Sequence, residues 1–395
     1  MRTDLGWRLD PTVTFLNHGS YGACPEPVLA FQGAMRVRLE AEPVRFLSGD
    51  LPGLLDAARV AVGRFLRADP EGIAFVTNAT TGYNTVLQSL RFQPGDELLT
   101  DDHEYNATIN AMRAVATRDG ARVVVTPIPF PTEGPGVVLE AILGAVTART
   151  RLVVVSQVSS VTALIFPVAE LIAELHRRGI DTLVDAAHAP GMVPVDVDAL
   201  GAAYWTGNGH KWLCGPKGSA VLWVREDRRD RIHPLVVSHG ANAPLAGRAR
   251  FRHEFDWVGT ADPTGFLALP AAIDWMAAQA PGGWPQVMAA NRALALDGRD
   301  RLCAALGIEP PAPDDMLGSM AALPLDWIPA EDDVAERFSR RLKAEEHIQA
   351  PIGVWPVPAA RTHGVRPTTS IRISAQLYNE PTDYDRLAAA LVKMR

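Results

Sequence analysis

The sequence predicts an α/β protein: a large domain on a mainly parallel seven-stranded sheet, followed by a smaller α+β C-terminal domain. Three observations carry that prediction. Short β-branched and apolar runs recur between residues 72 and 224, and helix-length segments with apolar residues at three- and four-residue spacing separate several of them. Alternation of this kind places helices on both faces of a parallel sheet, and such sheets bind ligands beyond the carboxyl ends of their strands. After about residue 250 the pattern changes to long helices and a few short strands.

The strand candidates are residues 72–77, 96–100, 121–126, 151–156, 181–185, 202–206 and 219–224. The fourth opens a charge-free stretch from Leu152 to Ala169 that invites a membrane reading. Ser156, Gln157, Ser159, Ser160, Thr162 and Pro167 argue instead for a buried strand running into a polar loop. Next, Val168, Leu171, Ile172 and Leu175 mark one helix face, stopped by Arg177-Arg178-Gly179. Beyond residue 250 the helix patterns are 263–280, 284–306, 331–344 and 381–394, with strands at 319–323 and 369–374. The prolines at 310–313 and 351–358 read as ordered loops at element junctions. The expected division is an N-terminal segment 1–15 packed on the body, a large domain 16–250 and a small domain 251–395.

An apolar content of 47% with 21% charged residues excludes wholesale disorder. Acidic residues outnumber basic ones, 45 to 38, which argues against a nucleic-acid surface. Cys24, Cys214 and Cys303 are too few and too scattered for a disulfide framework or a four-cysteine zinc site, so a cytoplasmic setting is expected. No apolar run stands behind the N-terminal charge, so neither a signal peptide nor a membrane partner is expected. His103-Glu104 begins like a zinc-protease motif, but residue 107 is Ala; no metal site is expected.

Chemistry concentrates in three segments. In Thr182-Leu183-Val184-Asp185-Ala186-Ala187-His188, an apolar strand ends in a carboxylate, which is costly unless it meets a cation or a donor. Two readings stand side by side: a structural cap or ion pair, or a carboxylate holding a cationic ring nitrogen. Further on, Gly207-Asn208-Gly209-His210-Lys211-Trp212-Leu213-Cys214-Gly215 puts a lysine among apolar residues and glycines. Such surroundings depress an amine's pKa and make it nucleophilic, although a loop lysine is ordinarily solvated. Together, the two segments suggest a Schiff-base lysine and its pyridinium partner. Third, Asn78-Ala79-Thr80-Thr81-Gly82-Tyr83-Asn84 follows a strand and opens a helix, a setting for phosphate or for ordinary capping. Tyr105, after the next strand, suits either the face of a flat ring or a half-buried helix position. Neither a GxGxxG nor a GxxxxGK[ST] loop is present.

Taken in order, these segments resemble the pyridoxal-phosphate (PLP) enzymes of fold type I, in the class V aminotransferase group. Phe15-Leu16-Asn17-His18-Gly19-Ser20-Tyr21-Gly22, Glu42-Pro43-Val44-Arg45-Phe46-Leu47 and the Gly-Asn-Gly-His-Lys-Trp loop are similar to the isopenicillin N epimerase-like branch. The resemblance implies that Lys211 is joined to the cofactor, that Asp185 pairs with its ring nitrogen, and that His188 lies near its phenolic oxygen. It implies Tyr105 on the ring face, and Thr80, Thr81, Asn208 and His210 at the phosphate. Arg372 is similar to the family's clamp for a substrate carboxylate, its alternative being an exposed strand arginine; Asn17, His18 and Arg45 are further substrate-pocket candidates. Family members are homodimers, and Gly259-Thr260 stands where a pair reaching the neighbouring subunit's phosphate belongs. The implied function is a PLP enzyme acting at the α-carbon of an amino acid, an aminotransferase or an epimerase. The alternatives are a C–S lyase on a cysteine-derived substrate and a non-catalytic binding protein on the same scaffold. Between residues 350 and 372 there is no cysteine, so the persulfide chemistry of cysteine desulfurases is not expected. Side-chain selectivity is expected from the loops 238–250 and 349–367.

Overall fold

A computed structural model describes residues 6–245, 247–361 and 365–395. Residues 1–5 of the N-terminal segment, Ala246 in the 238–250 loop and residues 362–364 in the 349–367 loop lie outside the described residues.

All seven strand candidates of the first part enter one sheet. They are β1 (Ile73–Val76), β2 (Glu97–Asp101), β3 (Arg122–Thr126), β4 (Thr150–Ser156), β5 (Asp181–Asp185), β6 (Tyr204–Asn208) and β7 (Ala220–Val224). Their order across the sheet is β1-β7-β6-β5-β4-β2-β3. The pairs among β2 to β6 are parallel, while β7 runs antiparallel to both β6 and β1. It follows that β1 points the same way as β2 to β6. The chain leaving each of those strands emerges along one edge, and the chain entering β7 arrives there too.

The apolar runs form strands because both sheet faces are covered. In β4, Leu152 and Val154 pack into the core on one face and Val153 and Val155 into the core on the other, as the two-residue period of a strand requires. The chain after β4 is loop, and among the described residues no helix is long and apolar enough to cross a membrane. Helix Val168–Arg177 buries the four residues that the spacing selects, Val168, Leu171, Ile172 and Leu175. Past its end Gly179 takes φ +72°, a left-handed conformation that glycine adopts without a Cβ penalty.

The small sheet is antiparallel, with strands β8 (Met320–Pro324), β9 (Ile352–Trp355) and β10 (Thr368–Ser374) in the order β9-β10-β8. Helices Gly283–Leu306 and Pro381–Met394 pack on each other, and the first also packs on β8 and β10. A parallel pairing of Thr14–Phe15 with Ile348–Gln349 ties the N-terminal segment to this part of the chain.

Two elements differ from expectation. The 351–358 stretch is not loop throughout, since Ile352–Trp355 is β9; Pro351 and Pro356 sit just outside the strand, where a missing N–H costs no ladder bond. The helix expected over 263–280 is two helices, Thr264–Leu267 and Leu269–Ala277. Pro270 stands in the first turn of the second, where its missing N–H has no intrahelical partner to lose.

Candidate active site

The shared sheet edge opens on a cavity of about 310 Å³. Residues 77–80 after β1, Tyr105 after β2, Ser156, Val158 and Ser160 from the end of β4, Asp185 and His188 from β5, and Asn208, His210 and Lys211 from β6 line it. Ser20 and Tyr21 close one side. A second chamber of about 220 Å³ shares Ser20, Tyr21, Tyr105, Ser160 and Lys211 with the first and adds Arg372. The strand-end aspartate and the glycine-loop lysine therefore meet in one place.

The Lys211 amine lies 3.0 Å from His188 Nε2. Trp212 Nε1–H donates to His188 Nδ1 at 3.3 Å. An indole nitrogen can only donate, so Nδ1 is the acceptor and the ring proton of the neutral imidazole sits on Nε2. That proton points at the amine, an arrangement that suits the amine in its neutral form. Burial and the charge of Arg372 push the Lys211 pKa down to about 7 from an ordinary 10.5, against the pull of Asp185. Burial also holds His188 well below the usual imidazole range, and Lys211 and Arg372 add to the effect. Apoprotein should accordingly take up pyridoxal phosphate at a rate that rises as pH increases through about 7 and then levels off. A midpoint near 10, read from absorbance after stopped mixing, would contradict this placement of the amine.

Asp185 is 3% exposed and accepts from the Ala187 amide at 2.9 Å and from Thr108 Oγ1 at 3.2 Å. Burial raises its pKa, offset in part by the Ala187 amide, Lys211 and Thr108. The side chain of Glu104 is buried beside it, accepting from Tyr105 N at 2.7 Å and from Ser156 Oγ at 3.0 Å. Burial and the neighbouring Asp185 and Asp101 raise the Glu104 carboxyl well above its usual range.

Helix Ala79–Ser89 aims its N-terminus at the cavity. Asn78 caps it by accepting from Thr81 N at 2.8 Å, and Asn208 Oδ1 accepts from Ala79 N at 2.8 Å. Thr80 is exposed and lines the cavity, whereas the Thr81 hydroxyl is occupied by Thr77 and Asn78 and lies outside it. With its oxygen used, Asn208 keeps its amide N–H groups as donors. His210 Nδ1–H donates to the Ser219 carbonyl at 3.1 Å. Gly82 lets this helix approach β6, because a Cβ there would lie 2.0 Å from Thr206 Oγ1.

Arg372 is 7% exposed. Its guanidinium donates to the Ser160 carbonyl, to Ser20 Oγ at 3.0 Å and to Asn17 Oδ1 at 3.4 Å, all neutral acceptors, and its Nε has no partner. Among the described residues no carboxylate pairs with it. Asn17 thus braces Arg372. His18 stands behind the site rather than in its lining: its Nε2–H donates to the Lys211 carbonyl at 3.0 Å and its Nδ1 accepts from Tyr378 at 2.8 Å. Tyr105 is 44% exposed and walls both chambers. Arg45 is on the surface, paired with Glu42, and does not line either chamber of a single chain. Thr260 is also exposed and outside them, next to a groove that runs from Gly259 to Thr77 and Gly218.

Sequence reasoning assigned no role to Thr108, Glu104, Ser156, Ser160 or Tyr83. Thr108 lies three residues past Tyr105, in the first turn of the helix Asn106–Asp119 that Tyr105 precedes. Tyr83 lies three residues past Thr80; its buried hydroxyl lacks a partner and borders the cavity. Glu104 had no signal beyond its neighbour.

Residues 45–387 match the family model described as aminotransferase class-V. The chain belongs to that family. Across this class V chain, an isopenicillin N epimerase of Streptomyces clavuligerus is 35% identical over 395 residues, covering 97% of this chain and 95% of the relative. A putative L-cysteine desulfhydrase of Oryza sativa subsp. japonica is 31% identical, over 97% of this chain and 83% of the relative. The fold is that of the lyase C-DES, solved as a variant with glycine covalently linked to its PLP cofactor: TM-score 0.77, 23% identity, 97% of each chain. This class V protein is a PLP-dependent enzyme, and its cavity suits that cofactor. A desolvated amine, a buried carboxylate, a flat aromatic wall at Tyr105, the unpartnered Tyr83 hydroxyl and a helix N-terminus all border one space. None of Cys24, Cys214 or Cys303 lines either chamber, and all three are buried and unpaired.

Proposed function

We propose that the enzyme acts at the α-carbon of an amino acid, as an aminotransferase or an epimerase, with Lys211 as the cofactor-binding amine and proton carrier. The observation that carries this reading is Arg372: a buried guanidinium without an anion, opening on the chamber that also holds Lys211. Leaving a buried charge unpaired is costly, and a substrate carboxylate answers it bidentately.

Lys211, Asp185, His188 and Tyr105 would hold the ring, and Thr80, Asn208 and His210 the phosphate. Bound there, PLP supplies the electron sink that makes an amino acid's α-proton removable. Asp185 keeps a proton at the ring nitrogen, a task suited to a carboxylate that Thr108 and the Ala187 amide hold in place. His188 orients the Lys211 amine through Nε2, and its neutrality leaves the amine free to take a proton. Asn17 and Ser20 hold Arg372 ready for a carboxylate.

A C–S lyase on a cysteine-derived substrate is the second reading, favoured by the cysteine desulfhydrase relative. We also infer a homodimer in which Thr260 reaches the partner's phosphate site. The groove beside Thr260 supports this, since its wall includes the exposed apolar residues Leu235, Val236 and Val258. Three unpaired cysteines suit a cytoplasmic setting.

A product screen by mass spectrometry separates the readings. L- and D-amino acids supplied with and without an oxo acid should yield a keto acid or inverted stereochemistry. Pyruvate and sulfide from L-cysteine alone would favour the lyase, and no product from any of them would reject the α-carbon reading. Arg372→Ala should raise KM for amino acids by roughly 30- to 1,000-fold, the equivalent of about 2–4 kcal/mol for a truncated buried charge pair. An unchanged KM would remove Arg372 from the substrate site.

A further inference from the structure

We propose that the substrate is an amino acid with a small, uncharged side chain, and that Gly353 is the position that sets this selectivity. The proposal rests on the reading of Arg372 as the holder of the α-carboxylate. Ser370 and Arg372 are two residues apart on β10, so their side chains share a face. Gly353 on β9 pairs directly opposite Ser370, which puts its Cα–H on that same face. All three residues line the 220 Å³ chamber. A carboxylate on Arg372 therefore leaves the rest of the amino acid between Lys211 and the Ser370–Gly353 pair.

The chemistry of those walls selects the side chain. Among the described residues lining this chamber, Arg372 is the one charged side chain and Lys211 the one amine, and both have tasks already. Among those described residues no acid stands to meet a side-chain ammonium, and no second cation to meet a side-chain carboxylate. Either charge would lose its water without compensation. Ser160 and Ser370 instead offer hydroxyls to a hydroxyl or thiol, beside the apolar Val161, while the Ser20 hydroxyl is engaged by Asn17 and Arg372.

Gly353 keeps the end of the chamber open. A Cβ built there meets no atom within 4 Å, and the residue is not among those with positive φ. A side chain can therefore be added without backbone strain, and it would enter the space where a substrate side chain ends.

The test uses holoenzyme and L-alanine, L-serine, L-cysteine, L-aspartate, L-glutamate and L-lysine. Binding is read from the visible absorbance of the cofactor, and turnover from product. In the wild type the three uncharged amino acids should exceed the three charged ones in kcat/KM by at least ~10-fold. Gly353→Arg should move the ratio of L-glutamate to L-alanine by at least ~10-fold toward glutamate, with its cofactor absorbance retained. Equal use of L-glutamate and L-alanine by the wild type would overturn the proposal, as would a holo Gly353→Arg variant with unchanged selectivity. Should that variant not fold, Gly353→Ala, which adds a single methyl group, replaces it. It should lower kcat/KM for L-cysteine more than for L-alanine; equal effects would remove Gly353 as the selecting position. An absorbance unmoved by all six amino acids would instead overturn the reading of the site as an amino-acid site, and this proposal with it.

Discussion

Lys211→Ala is expected to lower turnover of every amino-acid substrate by at least ~10³-fold, because one group is lost as both cofactor anchor and proton carrier. Stability should move the other way. Below its ordinary pKa of 10.5 the amine is protonated in the unfolded chain, whereas in the folded protein burial holds it at about 7. Folding therefore works against the protonated lysine as pH falls through that window. Alanine removes the conflict, so the variant apoprotein should melt no lower than the wild type at neutral pH. A variant that keeps its activity, or one that loses it by unfolding, would contradict this assignment. The His18 contact is no substitute for the side chain, since it reaches only the Lys211 carbonyl.

Asp185→Ala is expected to reduce kcat by roughly 10²–10³-fold with a smaller change in cofactor content, by analogy with removing a preorganised charge partner. The carboxylate is buried at a strand end and lines the cavity beside Lys211, where the proposed reading sets it against the ring nitrogen. Asp185→Asn gives a cleaner stability readout. Burial raises the folded-state pKa of Asp185 above its unfolded value, so whatever it contributes is present at acid pH and lost as pH rises. The Tm of Asp185→Asn apoprotein should gain on the wild type from acid toward neutral pH. A constant Tm difference across that range would mean that the carboxylate is not desolvated as the structure places it.

Asp185 and Lys211 were legible because each breaks a pattern. A charge that ends an all-apolar strand, and a lysine among glycines and tryptophan, are both costly choices for structure alone. The large sheet was legible for a related reason: strands covered on both faces read as unbroken apolar runs, as Leu152 to Val155 do. Strand β9 hid behind Pro351, Gly353 and Pro356, three residues that mark turns in isolation. Thr80 and Thr81 could not be told apart, because adjacent helix positions point about 100° apart and only the fold shows which one meets the cavity. Glu104 was invisible as a functional neighbour. Its burial against Ser156 and Asp185 comes from strands that meet only in the folded sheet. His18 lay close in sequence to Asn17 and Ser20, but its ring turns inward to Tyr378 while they hold Arg372.

The most direct test is chemical. Holoenzyme reduced with borohydride and digested should carry the phosphopyridoxyl group on the peptide that contains Lys211. Recovery of the label on Lys217, whose amine instead donates to the Gly22 carbonyl, or a protein that retains no label at all, would contradict the account.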